Sequence, residues 1–239
     1  MNLLKVFRNE KLSGLKGGIY HQTQIKLAYN TNRIEGSKLS EDQTRFIYET
    51  NTFFLEKEET TANVDDIIET VNHFSCFDYM LSIADEILTE EHIKRFHYLL
   101  KQNTSDAKKS WFKVGDYKLK ANMVGGVETT LPNQVPSEMK NLIASYQSKS
   151  EINIHDVIDF HFQFEKIHPF QDGNGRVGRL VIFKECLANG IIPLIIEDEY
   201  KFFYYRGLTE YPKVKEYLID TCLSAQDAYK KMVDYFFSE

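Results

Sequence analysis

The pattern of hydrophobic and polar residues is helical along most of the chain. Residues 20–35 contain neither Gly nor Pro, apolar side chains recur there near helical spacing, and Gly36 follows as a typical residue just beyond a helix end. Similar periodicity and capping residues predict further helices, which begin after Ser40, Asn63, Thr89 and Pro136 or span 154–167, 174–189, 198–208 and 214–236.

One stretch in the middle of the chain departs from this pattern. Residues 112–136 hold Gly115, the pair Gly125-Gly126, two prolines and two adjacent threonines. Glycine turns between short runs of this kind are typical of a β-hairpin. The sequence therefore predicts one all-α domain over residues 1–239 with a small hairpin at about 112–136.

The secondary structure of residues 160–165 decides between two readings of the glycines that follow. These residues alternate between apolar and polar side chains, but the apolar residues of 157–167 as a whole form a stripe at helical spacing. Residues 173–178 match G-x-G-x-x-G, a dinucleotide-binding pattern that requires a strand directly before it. Because Pro169 and a charged loop intervene, we favour helix, loop, helix over a dinucleotide-binding fold.

The loop that follows the predicted helix 154–167 contains several residues that can bind a ligand or take part in a reaction. Gly173 and Gly175 leave backbone N–H groups free to face an anion, and the start of the next helix adds partial positive charge. The Asn174 amide can donate to a phosphate. Arg176 and Arg179 emerge near one side of the first helical turn, where they can bind β- and γ-phosphates. The pattern therefore predicts a polyphosphate site.

Three more residues of the loop would complete a reaction centre. His168 lies at its edge, where a neutral imidazole could remove a hydroxyl proton. Asp172 offers one hard oxygen ligand, and Mg²⁺ commonly uses one or two protein carboxylates beside substrate phosphates. Phe170 is expected to anchor the loop in the core. Each residue alone also fits an ordinary surface loop, and it is their joint occurrence that favours the site.

Composition limits the remaining choices. The 239 residues are 42% hydrophobic and 27% charged, as in a typical globular protein, and the net charge of −6 does not favour a sequence-independent grip on nucleic acid. The three cysteines follow no C-x-x-C pattern, which indicates unpaired thiols in a reducing compartment. With no signal-peptide pattern and no apolar run of membrane length, we expect a cytoplasmic protein with neither nucleic-acid nor membrane partners.

Residues 168–179, HPFQDGNGRVGR, resemble the signature of the Fic family, H-P-F-x-[D/E]-G-N-G-R-x-x-R, at every specified position. The resemblance extends over about residues 15–208 and implies an all-α, Fic-type bundle that transfers AMP from Mg·ATP to a protein hydroxyl. It implies that His168 is the general base and that Asp172 binds Mg²⁺. The related Doc toxins, which act as kinases, have Lys where this chain has Gly175, so Gly175 favours AMP transfer. The expected nucleotide-binding residues are Phe170, Gly173, Asn174, Gly175, Arg176, Arg179, Tyr204 and Tyr205.

A second motif lies upstream, in the helix predicted at about 20–36. Thr31-Asn-Arg-Ile-Glu35-Gly36 resembles the inhibitory motif [S/T]-x-x-x-E-[G/N] of the same family. Thr31 and Glu35 are four residues apart and therefore share a helix face. A carboxylate at a helix C-terminus is unfavourable unless a cation compensates, and Arg179 would be that cation. Glu35 would then occupy the partner of the γ-phosphate, and the resemblance implies an intramolecularly inhibited enzyme.

Two other segments resemble parts of the family. Residues 111–132 resemble the Fic flap, a hairpin that pairs with the target segment, although the family often has Arg where this chain has Lys118. The aromatic run at residues 203–205 resembles one found near adenine, which implies stacking on Tyr204 or Tyr205. Four histidines match no metal-ligand motif and are expected on the surface or in the core, namely His92, His97, His155 and His161.

The sequence thus predicts an autoinhibited protein adenylyltransferase that uses ATP and Mg²⁺ and docks a target protein along the flap. The target side chain would be Ser, Thr or Tyr. Two alternatives stay open: a hydrolase in which Glu35 activates water to remove AMP from a modified protein, and a nucleotide-sensing interaction module with little turnover. Modification of the chain by itself and a homo-oligomeric state are also open.

Overall fold

The computed structural model describes residues 2–55 and 61–237, so Met1, residues 56–60 and residues 238–239 of the predicted single domain lie outside the described residues. Within this part of the chain the regular structure consists of ten α-helices, two 3-10 turns and one pair of short strands. The helices are α1 Leu3–Ser13, α2 Ile19–Ile34, α3 Glu41–Thr50, α4 Val64–Ser82, α5 Glu90–Lys101, α6 Val135–Gln147, α7 Ile154–Ile167, α8 Asn174–Ala188, α9 Lys201–Glu210 and α10 Glu216–Phe237. The predicted all-α fold with a small hairpin is confirmed. The hydrophobic pattern does not predict α1.

Helix ends follow the chemistry of the residues that cap them. The Ser40 side chain accepts from the Gln43 amide and the Gln43 side chain accepts in return, which confirms the predicted capping box of α3. The same reciprocal arrangement joins Asn153 and Asp156 at the start of α7. Local side chains therefore set where both helices begin.

The central helix of the fold is α8. Leu180 and Phe183 on this helix are 0% exposed, and α8 packs against α2, α4, α5 and α7. Because it is covered on nearly every side, its sequence is apolar around most of its circumference. A ligand can therefore approach α8 at its N-terminal end.

The hairpin is shorter than the predicted range of 112–136. Its strands are β1, Met123–Val124, and β2, Val127–Glu128, which pair antiparallel with Met123 opposite Glu128. Gly125 and Gly126 have φ angles of 56° and 81°, which suit a tight hairpin turn that other residues would strain. Residues of both strands are exposed.

Two further predictions concern the environment of the chain. All three cysteines are buried and carry no disulfide, as predicted. No helix within the described ranges has both the length and the hydropathy needed to cross a membrane.

Candidate active site

His168 closes α7 and begins the loop that leads to α8. Its backbone adopts a left-handed conformation with φ 53°, and its amide donates to the Phe164 carbonyl at 2.9 Å. Burial, and then the nearby charge of Lys118, lower the pKa of the His168 imidazole to about 4. The imidazole is therefore neutral at neutral pH, as a proton acceptor must be.

The Asn174 side chain shapes this loop. Its Oδ1 accepts from the Phe170 amide at 2.8 Å, and its Nδ2 donates to the Phe170 carbonyl at 2.9 Å. The side chain is 1% exposed. The prediction that the Asn174 amide binds phosphate does not fit this arrangement, because the amide folds the loop around Phe170 instead.

The loop is anchored from α5 as well. The Phe170 ring, predicted as a core anchor, is 0% exposed and stacks on His97 with ring centres 4.0 Å apart and planes 3° apart. His97 Nδ1 accepts from the Gly115 amide at 2.9 Å, which leaves Nε2 as the donor to the Asp172 carbonyl at 3.2 Å. His97 thus joins the loop to the segment that precedes the hairpin.

The start of α8 is shaped as an anion site by two glycines. Gly173 caps the helix with a φ of 81°, a conformation that glycine adopts without strain. A Cβ on Gly175 would collide with the Glu35 carboxylate and would lie 3.0 Å from Arg179 Nη1. The carboxylate of Glu35 therefore stands where an anion meets the positive end of the helix.

Arg179 binds both residues of the upstream motif. Its Nε donates to Thr31 Oγ1 at 2.5 Å, and its Nη2 donates to the Thr31 carbonyl at 3.0 Å and to Glu35 Oε1 at 2.6 Å. Burial acts against the guanidinium charge, but Glu35 raises the pKa of Arg179 above its ordinary value. Thr31 and Glu35 share a helix face, as their spacing predicts, and together they hold one cation.

The C-terminus of α2 is braced so that Glu35 points at the site. Glu35 follows the last helical residue, and Gly36 then turns the chain with a φ of 99°. The Tyr205 hydroxyl donates to the Ile34 carbonyl at 2.9 Å, which satisfies one of the carbonyls that a helix end leaves without a partner.

Arg176 does not point toward an open phosphate position. Its guanidinium pairs with Glu69 on α4 and, at 3.3 Å, with Asp172, and its side chain is 5% exposed. The prediction that Arg176 contacts outer phosphates therefore does not fit its position. Lys101 joins the same cluster, since its Nζ lies within hydrogen-bond distance of Glu69 and 2.6 Å from Asp172.

Asp172 is the candidate magnesium ligand. Its side chain is 48% exposed. Burial of the group acts to raise its pKa, but Arg176 and Lys101 hold the pKa of this carboxyl below its ordinary value, so it is ionised. In the described ranges no three His, Cys, Asp or Glu side chains are grouped as metal ligands. One ionised, accessible carboxylate fits Mg²⁺ only where phosphate and water oxygens supply the other ligands.

The two aromatic candidates for adenine stacking differ in accessibility. Tyr204 is 1% exposed, and its hydroxyl lies 2.7 Å from His161 Nε2 and 3.5 Å from Arg179 Nη1. Because the Tyr204 ring is enclosed, the prediction that it stacks on adenine does not fit. Tyr205 is 43% exposed and remains the candidate.

Lys118 fixes the base of the hairpin segment to the loop. Its amide donates to the Pro169 carbonyl at 2.9 Å, and its Nζ donates to Asn122 Oδ1 at 2.8 Å and to Thr129 Oγ1 at 2.6 Å. The side chain is buried, and burial lowers the pKa of Lys118 to about 8. Its charge accounts for part of the lowered pKa of His168.

Several residues of the site are absent from the sequence prediction. Glu69 and Lys101 belong to other helices, α4 and α5, and Glu165 lies in the last turn of α7, three residues before His168; no motif marks any of them. Isolated charges within apolar helical runs are the only local signal they carry. His97 and His161 are buried, as expected for core histidines, but each also contacts a residue of the site.

Comparisons with known proteins agree with this geometry. The Fic/DOC family profile matches residues 87–185. Protein adenylyltransferase fic-1 of Caenorhabditis elegans is 26% identical over 191 residues, which cover 78% of this chain and 36% of that protein. Protein adenylyltransferase Fic of Aedes aegypti is 25% identical over 190 residues, with coverage of 77% and 36%. The chain thus spans little more than a third of the length of either relative.

Solved structures show the same fold. A Fic domain containing signaling protein from Bacteroides thetaiotaomicron VPI-5482 superposes with a TM-score of 0.75 at 19% identity, over 98% of this chain and 94% of that one. Fic-1 from Caenorhabditis elegans superposes with a TM-score of 0.72 at 18% identity, over 97% and 70%. Residues 87–185 of the chain therefore match the Fic/DOC family, and the chain as a whole shares the fold of these solved Fic structures.

Proposed function

We propose that this protein is an autoinhibited adenylyltransferase that transfers AMP from ATP to a Ser, Thr or Tyr hydroxyl of a target protein. One observation carries the proposal: the Glu35 carboxylate lies at the start of α8, against Gly175 and on Arg179, while His168 stands at the beginning of the same loop. A proton acceptor and an anion site filled by an acid of the same chain are the two parts that such an enzyme needs. The adenylyltransferase names of the relatives support the reaction class.

The reaction requires a base and a place for the nucleotide. The hydroxyl oxygen attacks the α-phosphorus, its proton passes to the neutral imidazole of His168, and the bond to the bridging oxygen breaks to release pyrophosphate. General-base help of this kind is worth about 10²–10⁴ in rate. Backbone N–H groups at Gly173 and Gly175 and the positive end of α8 would bind the phosphates.

Inhibition follows from competition for one cation. A γ-phosphate that enters beside Gly175 needs Arg179, and Glu35 already holds Arg179 with a hydrogen bond of 2.6 Å. The dipole of α2 disfavours a carboxylate at its C-terminal end, so Glu35 depends on the compensating charge of Arg179 and on the positive end of α8. The inhibited state is therefore stable because of Arg179 and α8 together.

Mg²⁺ would be held by Asp172 together with the phosphates, and it would neutralise charge on the leaving group. Lys101 and Arg176 both contact Oδ2 of Asp172, so they keep the carboxylate ionised and fix its orientation. The target protein would dock along the exposed strands β1 and β2 through main-chain hydrogen bonds to one strand edge.

Intact-mass spectrometry and α-labelled ATP with Mg²⁺ test the proposal. Label is expected on the Glu35→Gly protein itself or on an added partner, with much less on wild type. Glu35→Gly combined with His168→Ala should carry none. Glu151→Gly, which removes an exposed loop carboxylate elsewhere, serves as the matched control. The absence of label from Glu35→Gly would contradict the proposal.

A hydrolase that removes AMP from a modified protein is the second candidate. The Glu35 side chain is 28% exposed, so water can reach its carboxylate. In that case wild type would release AMP from a target that the Glu35→Gly protein has modified, and Glu35→Gln would not. If wild type leaves the modified target intact, this alternative is wrong. A single domain over residues 1–239, a cytoplasmic location, self-modification and homo-oligomers remain predictions.

A further inference from the structure

A second acidic residue, Glu165 on α7, lies close enough to Arg179 and Glu35 for its charge to act on both. The residue is half-buried, and its Oε1 is sealed from solvent and has no hydrogen-bond partner among the described residues. A buried carboxylate oxygen without a partner is costly unless the group has a task or carries a proton.

His161 lies one helical turn before Glu165 and shares this situation. Its Nδ1 is also buried and has no hydrogen-bond partner in the described ranges. The point where a Cβ on Gly178 would stand is 2.8 Å from Glu165 Oε1 and 2.8 Å from His161 Nδ1. Gly178 therefore leaves the space in which these two groups face each other.

Hydrogen bonds connect His161 to Arg179, whereas His161 Nδ1 and Glu165 Oε1 face each other without a hydrogen bond. Arg179 Nη1 donates to the Tyr204 hydroxyl at 3.5 Å, and because a guanidinium can only donate, the hydroxyl proton is available to His161 Nε2 at 2.7 Å. Burial lowers the pKa of His161 to about 3, so the ring is neutral and its single proton is on Nδ1, toward Glu165. The hydrogen-bonded order is Arg179, Tyr204, His161, and Glu165 Oε1 lies beside His161 Nδ1 across the space left by Gly178.

The protonation of Glu165 depends on Glu35. Burial, and then repulsion from Glu35, raise the pKa of Glu165 to about 8, so it is largely protonated at neutral pH while Glu35 is bound to Arg179. Among the described residues, the other titratable groups near this site include Tyr204 and Tyr205 on α9, Arg179 on α8 and His168, three residues after Glu165. Both tyrosine pKa values are raised by burial, so Arg179 is the cation of the group and the two glutamates are its counter-charges.

We propose that Glu165 is a positioning residue that replaces Glu35 as the counter-charge of Arg179. When Glu35 leaves, Glu165 loses its proton to solvent and accepts a hydrogen bond from His161 Nδ1, which extends the series through Tyr204 to the guanidinium. When a γ-phosphate reaches Arg179, Glu165 takes a proton up again. The exchange between the two glutamates depends only on the chain, whereas the link to nucleotide rests on the proposed function.

The exchange can be tested without nucleotide. The free energy of unfolding is measured from pH 5 to pH 9 for wild type, Glu35→Gly, Glu165→Gln and the double variant. Because the pKa of Glu165 is raised on folding, wild type should lose stability relative to Glu165→Gln as pH rises toward 8. The same comparison is made between Glu35→Gly and the double variant. There the stability difference should stop growing at a pH lower by about 1 unit or more, because removal of the Glu35 charge lowers the pKa of Glu165 by about that amount.

Identical pH profiles in the two pairs would overturn the proposal. Glu138→Gln, an exposed helical change of the same type, should leave every profile unshifted. Gln has the shape of protonated Glu, so Glu165→Gln is expected to fold. A carbon-13 titration of the Glu165 carboxyl in wild type and Glu35→Gly reads the same shift without changing Glu165, and an unshifted midpoint would also overturn it.

The nucleotide step has its own measurement. ATP binding to Glu35→Gly is followed by calorimetry at pH 8 in two buffers of different ionisation enthalpy, which gives the protons taken up. The Glu35→Gly protein should take up more protons on binding ATP than the Glu35→Gly/Glu165→Gln double variant. With ADP, which lacks the γ-phosphate, the difference in proton uptake between the two proteins should be smaller. Equal uptake by both proteins would contradict the role of Glu165. If ATP fails to bind at all, the proposed function is wrong, and the nucleotide-free profiles still decide the exchange between the glutamates.

Discussion

Glu35 Oε1 lies 2.6 Å from Nη2 of Arg179, although the two residues are 144 positions apart in the chain. The contact joins the end of α2 to the first turns of α8 and places a carboxylate beside Gly175. Access to the anion site therefore depends on how firmly the end of α2 is held. Four predictions test the groups that hold it and the chemistry beside it.

Replacement of Thr31 by Val should weaken the inhibitory contact. Arg179 Nε would lose its 2.5 Å acceptor with little change of shape, and a hydrogen bond to a charged group is worth about 2 kcal/mol. We expect a loss of that size in the free energy of unfolding, measured in urea, together with AMP transfer above the wild-type level. Thr31→Ser keeps the hydroxyl and should behave like wild type. Unchanged stability in Thr31→Val would count against this role.

Tyr205 is expected to have two separable roles. Tyr205→Phe removes the 2.9 Å hydrogen bond to the Ile34 carbonyl, which should cost about 1 kcal/mol of stability and raise basal AMP transfer. In the Glu35→Gly background the Phe ring can still stack on adenine, so KM for ATP should not change, whereas Tyr205→Ala should raise KM. If Phe and Ala raise KM equally, stacking on this ring is excluded.

Glu69 should matter for both stability and metal affinity. It is the carboxylate shared by Arg176 and Lys101, whose side chains are 5% and 3% exposed. Loss of one partner from a buried ion cluster costs about 3 kcal/mol, so Glu69→Gln should be clearly less stable in chemical unfolding. Both cations would then compete for Asp172, and the Mg²⁺ concentration needed for AMP transfer should rise. An unchanged Mg²⁺ requirement would show that Asp172 does not bind the metal ion.

The pH dependence of the activated Glu35→Gly enzyme should report His168. A base acts only when neutral, and the pKa of His168 is lowered to about 4, so kcat/KM should rise as pH increases through about 4 and level off below pH 6. Lys118→Met removes a positive charge near the imidazole, and the rise should then move to higher pH. A rise centred near pH 6.5 in the Lys118-containing enzyme would show an ordinary imidazole.

Local sequence was sufficient for the parts of this protein whose partners are close in the chain. The stripe at residues 157–167 predicts α7, which spans Ile154–Ile167. In the loop that follows, Gly173 marks the left-handed position and Gly175 marks the position without a side chain at the start of α8. The four-residue spacing of Thr31 and Glu35 predicts their common face. Such features depend on backbone conformation and helical periodicity, which neighbouring residues determine.

Contacts between distant helices decided the rest. Glu69 meets Arg176 across 107 positions, His97 meets Asp172 across 75, and Tyr205 meets Ile34 across 171. Periodicity shows which face of a helix is buried, but it does not show which of many carboxylates a buried guanidinium will find. Packing also turned the Asn174 amide and the Tyr204 ring away from the nucleotide positions predicted for them. The sequence by itself determined the loop and its chemistry, and the tertiary structure decided which side chains are free to use it, because that depends on how helices far apart in the chain pack against α8.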